Sequence, residues 1–131
     1  MESSESTSQA RPKFVLVVDD HDLVRGLIVE ILQRAGVAVL QANNGTDAVE
    51  LVRTHGSAIG LILQDMSMPG MSGPETIEKT LAVMPDANII VLSVDEEFAV
   101  RQDLGDLVVA GCLEKPCDAD VLIDTVQAYI A

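Results

Sequence analysis

Aromatic side chains are nearly missing from this chain: Phe14, Phe98 and Tyr129 are the only three, and tryptophan does not occur. A core must therefore be assembled from Val, Leu, Ile, Ala and Met, a set that suits helices packed on a sheet. The same shortage removes the stacking platforms on which single-stranded nucleic acids lie. Basic residues are also few. Eight Lys and Arg stand against 21 Asp and Glu, a formal net charge of −13, and the first twelve residues contribute little to it, with Glu2 and Glu5 against Arg11. So acidic a domain repels phosphate backbones and anionic lipid, so neither direct nucleic-acid binding nor membrane binding is expected, whereas a metal ion or a basic protein surface is attracted.

Cysteine occurs only at Cys112 and Cys117, without the CxxC or His-bearing spacing of a metal site. A disulfide between them would close a very short loop, so two unlinked, partly buried thiols in a reduced, cytoplasmic protein are expected. No apolar run approaches membrane-spanning length, and "MESSESTSQARP" has neither the basic start nor the apolar stretch of a signal peptide. Residues 1–12 read as a disordered tail. Residues 13–131 have the size of one domain with its own core.

From Lys13 onward, short β-rich runs alternate with helix-period segments, and Gly, Asn, Asp or Pro stands at nearly every junction. "FVLVV" (14–18) is apolar throughout, as a parallel strand covered on both faces requires. The other strands are predicted at 37–42, 58–64 with Asp65 at its end, 88–93 and 107–114. Between them, Asp22 is expected to cap a helix burying Val24, Leu27, Ile28, Ile31 and Ala35, with Gly36 as its left-handed stop. Asn44 and Asp47 mark the start of a second helix carrying Ala48, Val49, Leu51 and Val52, which ends near Gly56. Ser72 and Pro74 open a third, with Ile77, Leu81 and Met84 inward and Pro85 beyond its end. Residues 96–104 form a weaker helical segment with a thin apolar face. Asp118 starts the last helix, whose expected stripe is Val121, Leu122, Thr125, Val126 and Tyr129. Strict alternation with right-handed crossovers gives an α/β, doubly wound sandwich, and ligands in such sheets collect beyond the carboxyl ends of the strands.

Asp19 and Asp20 follow strand one, Asp65 follows strand three, Ser93 closes strand four and Lys115 follows strand five, so all five share one edge. A bare charge at the end of a buried strand is expensive. Three carboxylates together raise one another's pKa, so the cluster calls for a cation, and a hard Mg²⁺-type ion held by carboxylate, carbonyl and water fits.

"VLVVDD", "LQDMSMPGMSG", the hydroxyl of "VLS" and "EKP", in this order and spacing, resemble the receiver domain of two-component response regulators over residues 13–131. The resemblance implies a flavodoxin-like (βα)5 fold with a five-stranded parallel sheet of order 2-1-3-4-5. It implies that Asp65 is the phosphoacceptor, taking a phosphoryl group from a sensor histidine kinase or phosphotransfer protein. A carboxylate is an available nucleophile at neutral pH, and phosphoryl transfer needs mainly alignment and charge neutralisation. Mg²⁺ would be bound by Asp20, Asp65 and the backbone carbonyl of Ser67, with Asp19 acting through water. Lys115 and Ser93 would each contact a phosphoryl oxygen, and the Lys115–Pro116 bond would be cis. The expected role is signalling by phosphorylation-dependent contact with a downstream protein target or output domain, rather than turnover as an enzyme. The face of helix four, strand five and helix five would dock partners or form a homodimer.

Two positions depart from the family, and several others call for comment. Cys112 stands where the family usually has Tyr or Phe, so the usual aromatic switch is missing. Val94 replaces a usually small residue and, with Ser67 and Asp95, flanks the path of water or kinase to the acceptor. "DEEF" with Asp103 and Asp106 makes helix four acidic, which reads as a solvated surface; His21 reads as a loop residue and His55 as a helix end. Two rivals stay open: a pseudo-receiver that binds without phosphorylation, kept alive by Cys112, and a haloacid-dehalogenase-type phosphohydrolase with Asp20 as nucleophile in an Asp-x-Asp pair with Asp22. No helix-turn-helix or catalytic segment occurs within the 131 residues, so a stand-alone regulator or a piece of a longer chain is expected.

Overall fold

The computed structural model describes residues 13–130; the tail expected over residues 1–12 lies outside the described residues. Five strands and five helices alternate: β1 (Phe14–Val18), α1 (Asp22–Arg34), β2 (Val39–Ala42), α2 (Gly45–His55), β3 (Ile59–Asp65), α3 (Gly73–Val83), β4 (Ile89–Ser93), α4 (Glu97–Leu104), β5 (Gly111–Glu114) and α5 (Ala119–Ile130), with a short 3₁₀ turn at Gly56–Ala58. The strands pair in parallel in the order β2-β1-β3-β4-β5, the flavodoxin-like arrangement expected. The register sets Val18 beside Gln64, Asp65 beside Leu92 and Ser93 beside Glu114, which brings the carboxyl ends of the strands to one edge.

Alternating side chains of each strand feed two cores. On one face Leu16, Val18, Ile62 and Val91 pack with Ala48 and Val52 of α2, Ile77 of α3, and Val100 and Leu104 of α4. On the other, Val15, Val17, Leu61, Leu63 and Leu92 pack with Val29 and Leu32 of α1 and Leu122 and Val126 of α5. Each fully buried side chain of this size stabilises the fold by about 1.5–3 kcal/mol relative to exposure. The polar signals hold where they were most local. Asn44 accepts from the Asp47 amide at 2.7 Å, Ser72 accepts from the Glu75 amide at 3.2 Å, and Gly36 takes a φ of 84° after α1. The thin segment at 96–104 is a true helix, since Val100 and Leu104 both reach the core. Both cysteines are free, and the Lys115–Pro116 peptide is cis.

Several local expectations need correction. β2 starts at Val39, because the Gly36 and Val37 amides still donate to Gln33 and Leu32 of the preceding helix. β5 starts at Gly111, as Leu107 folds back onto the Leu104 carbonyl. His21, not Asp22, holds the N-cap position of α1, without a side-chain cap; Asp22 lies in the first turn and pairs with Arg25 at 2.9 Å. The buried stripe of α1 is centred on Val29 and Leu32. Leu27 is exposed, and Val24, Leu27, Ile28 and Ile31 line an open groove of about 380 Å³ beside Pro116 and Cys117. In α5, Leu122 and Val126 are buried, whereas Val121 is exposed. Among the described residues, no helix is long and apolar enough to cross a membrane.

Candidate functional site

The site lies where the chain's winding reverses, between β1 and β3, with a further flank from β4 and β5. Asp19 directly follows β1 and is fully buried; its amide donates to the Ala42 carbonyl at 3.1 Å, a continuation of the β1–β2 ladder that fixes where the carboxylate emerges. Asp65 closes β3 and is only 3% exposed. Lys115 crosses from the end of β5 to meet both: its ammonium donates to Asp19 Oδ2 at 2.9 Å and to Asp65 Oδ1 at 3.0 Å. Asp20 is half-buried beside them, and Asp20 Oδ1 and Asp65 Oδ2 are buried oxygens without a hydrogen-bond partner.

One cation among three carboxylates leaves an uneven balance. For Asp65, burial is the largest influence and pushes the carboxyl up from its usual range, with Asp19 adding to it, against the opposing hydrogen bond and charge of Lys115 and the Ser67 amide. For Lys115, burial alone would lower the ammonium, but the hydrogen bonds and charges of Asp19 and Asp65 outweigh it and hold the group above its usual range. The two directions agree with a negative excess at the pocket, which a further positive charge would relieve. The orphaned oxygens of Asp20 and Asp65 supply the hard donor set that such an ion takes, and one ligand atom each from Asp19, Asp20, His21 and Asp65 lies within 4.8 Å of the others.

The predicted residues therefore meet, with differences in how closely. Asp19, Asp65 and Lys115 are in direct contact, and Asp20 adjoins them. Ser93 closes β4 at the same edge; its carbonyl accepts from the Lys115 amide at 2.7 Å and its hydroxyl oxygen accepts from the Asp95 amide at 3.0 Å, which leaves the hydroxyl hydrogen free to donate. The Ser67 backbone lies close enough to Asp65 to favour the ionised form of its carboxyl. Cys112 is half-buried and lines a small cavity of about 90 Å³ with Ser93, Asp95 and Val100, and burial pushes its thiol up against the pull of Arg101.

Two supporting residues escaped the sequence reading. Arg25 donates to the Asp19 carbonyl at 2.8 Å, to Gln41 at 3.1 Å and to Asp22 at 2.9 Å, so it ties α1 to the turn that carries the acidic pair. Only its i,i+3 relation to Asp22 was visible in the sequence. Gly73 packs against the strand end: a β-carbon there would lie 2.7 Å from Met66 Cα and 2.8 Å from the Asp65 carbonyl oxygen.

The response regulator receiver domain family matches residues 15–127. The chain belongs to that family. It is 37% identical over 125 residues to response regulator UvrY of Escherichia coli strain K12, a match covering 89% of this chain and 56% of UvrY. This receiver domain thus spans little more than half of that relative. It is 29% identical over 116 residues to sporulation initiation phosphotransferase F of Bacillus subtilis strain 168, covering 88% of this chain and 92% of the relative. Among solved structures, chemotaxis protein CheY4 of Vibrio cholerae superposes with a TM-score of 0.82 at 25% identity, over 92% of this chain and all of that one. Receiver domains accept phosphoryl groups in phosphorelays and act as signalling domains, and they bind Mg²⁺ at an acidic pocket.

Proposed function

We propose that this receiver takes a phosphoryl group on Asp65 from the phosphohistidine of a sensor histidine kinase or phosphotransfer protein. The observation that carries the reading is the setting of Asp65: Lys115 fixes the carboxylate through Oδ1 at 3.0 Å, while Oδ2 is buried without a partner, so the group is oriented and still has lone pairs unspent for an ion and for attack. The new bond joins a carboxylate oxygen of Asp65 to phosphorus as the phosphorus–nitrogen bond of the donor breaks, and the leaving imidazole takes up a proton from solvent. Lys115 stays beside the acceptor and counters charge on one phosphoryl oxygen, and the free hydroxyl hydrogen of Ser93 is available to another. Asp20 and Asp65 would hold Mg²⁺ directly, together with the Ser67 carbonyl, and Asp19 would act through water. When bound, the ion supplies positive charge to the phosphoryl oxygens. Water attack at the same phosphorus breaks its bond to the Asp65 oxygen, releases inorganic phosphate and returns the carboxylate, a resetting in which the same Lys115 and Ser93 groups assist. A cytoplasmic location belongs to the same reading, and output passes to a downstream protein or an attached domain.

One observation favours a variant of this reading. Cys112 in place of a ring leaves the cavity beside Ser93 without a group that can swing between buried and exposed positions, so the signal leaves through the loop after β4 and through α4 rather than through an aromatic switch. Incubation with acetyl phosphate and Mg²⁺ followed by intact mass measurement tests the proposal. The protein should gain one phosphoryl mass, and Asp65→Asn should gain none. No gain in the parent chain would support the pseudo-receiver, and a phosphoryl group on Asp20 would support the hydrolase.

A further inference from the structure

The oxygen donors of the pocket suit a hard cation, but the residue beside them brings a different chemistry. The His21 amide donates to Asp19 Oδ1 at 2.9 Å, which turns the residue back over the acidic pair. Its ring nitrogen Nδ1 then stands 3.5 Å from Asp20 Oδ1 and 3.8 Å from Asp19 Oδ1. Nitrogen and oxygen ligands bound at about 2.0–2.2 Å to one tetrahedral zinc ion stand roughly 3.3–3.5 Å from each other. The observed spacing is therefore already close to that of two ligands on one ion. Asp65, nearly fully buried, offers a carboxylate oxygen within 4.8 Å of these atoms, and its Oδ2 has no partner.

Imidazole adds little to a Mg²⁺ site, because that ion takes oxygen ligands and keeps its waters. It adds much to zinc, cobalt and similar ions, for which neutral imidazole is a preferred donor. We infer that His21 Nδ1 joins Asp20 and Asp65 as a third protein ligand for a borderline divalent cation of the Zn²⁺ or Co²⁺ class, which then competes with Mg²⁺ for the pocket. The inference rests on the reading of this pocket as a divalent-cation site. Three protein ligands with a water-filled fourth position are an ordinary zinc arrangement. The His21 side chain is 69% exposed, so its ring has room to complete the approach. An ion held this way displaces Mg²⁺ from the pocket that serves phosphoryl acceptance, so the receiver's metal is set by competition between the two classes of ion.

The test is calorimetric titration of the full chain with Zn²⁺ alone and with Mg²⁺ alone, for the parent, His21→Ala and His55→Ala, with Co²⁺ visible absorption as a ligand-sensitive second readout. Loss of a direct ligand should lower the ratio of Zn²⁺ to Mg²⁺ affinity by at least about tenfold in His21→Ala, and the Co²⁺ spectrum should change. His55→Ala should keep the parent ratio, since the His55 ring packs edge-on against Phe14 at the start of β1, the end opposite to the acidic pair. An unchanged ratio in His21→Ala overturns the inference, as does an equal fall in both affinities, which would mean that the ring only shapes the loop. Asp65→Asn separates the two levels of the argument. If Mg²⁺ binding is indifferent to it, the reading of the pocket fails and takes this inference with it; if Mg²⁺ binding depends on Asp65 but the metal ratio ignores His21, this inference alone fails.

Discussion

Replacing Lys115 by Met tests the electrostatics of the pocket. The change keeps most of the side chain's length and removes only the ammonium. Two charge-assisted hydrogen bonds go with it, 2.9 Å to Asp19 and 3.0 Å to Asp65, and the carboxylates left behind have side chains only 0% and 5% exposed. Removing one partner of such a buried pair costs about 3–5 kcal/mol, because the remaining charge has neither water nor a counter-ion. With a urea slope of about 2 kcal/mol/M, the unfolding midpoint at neutral pH and without divalent ions should fall by roughly 1.5–2.5 M. The pH dependence has a definite sign. The Asp65 carboxyl already lies above its ordinary 3.8 in the folded protein, so folded chains bind this proton more readily than unfolded ones. The ionised form therefore costs stability at neutral pH, and the cost is relieved as pH falls through the raised folded value. Without Lys115 that value rises further, so the gap between variant and parent should narrow on mild acidification. Urea melts at about pH 7 and about pH 5 measure both effects. Equal midpoints at neutral pH, or a gap that widens with acid, would refute the account of Lys115 as the counter-charge of the pocket.

Other perturbations probe the surroundings. Lys115 is held above its ordinary 10.5, so the stability it contributes is complete below that pH and lost as pH rises through the raised value; alkaline melts of the parent should show a loss that Lys115→Met lacks. Gly73→Ala places a β-carbon 2.7 Å from the backbone of Met66, so something must shift, and both a stability loss of about 1–3 kcal/mol from overpacking and slower phosphoryl uptake should appear, in calorimetry and intact mass respectively. Arg25→Ala frees the Asp19 carbonyl and should weaken Mg²⁺ binding while phosphoryl lifetime, once loaded, changes little; equal Mg²⁺ affinity in titration would argue that the turn needs no such tie. Val94→Ala should alter the rate of phosphoryl loss if that side chain governs access beside Lys115, and an identical decay curve would remove it from the argument.

Much of this arrangement was legible because each chemical residue stands at the end of a strand-like run: Asp19 after "FVLVV", Asp65 after "LILQ", Ser93 after "IIVL", Lys115 after "CLE". A parallel sheet brings such ends together whatever the details of the helices, so errors elsewhere did not spread to the site. The phase of α1 was harder. Its sequence carries Val24, Leu27, Ile28, Val29, Ile31 and Leu32, which covers more than one face, and the choice between stripes was made by packing against the sheet and α5. The start of β5 was hidden for a similar reason, as "LVVA" is β-rich by composition but lies mostly outside the ladder. Arg25 and Gly73 act through backbone atoms of residues brought near by the fold, a relation for which sequence has no periodic signature.

The placement of Asp65 has a mechanical consequence. It terminates a strand with all seven residues buried, flanked on both sides by β1 and β4. Close-packed interiors yield very little, and central strands open only with the whole molecule, so this acid is mounted on the stiffest part of the domain, like a workpiece on an anvil. Any load placed on it is absorbed where compliance is greatest: in the turns at 66–72 and 94–96 and in the four-residue, half-covered β5. Slack is therefore lopsided, and the flank away from β2 is where a change of shape must surface.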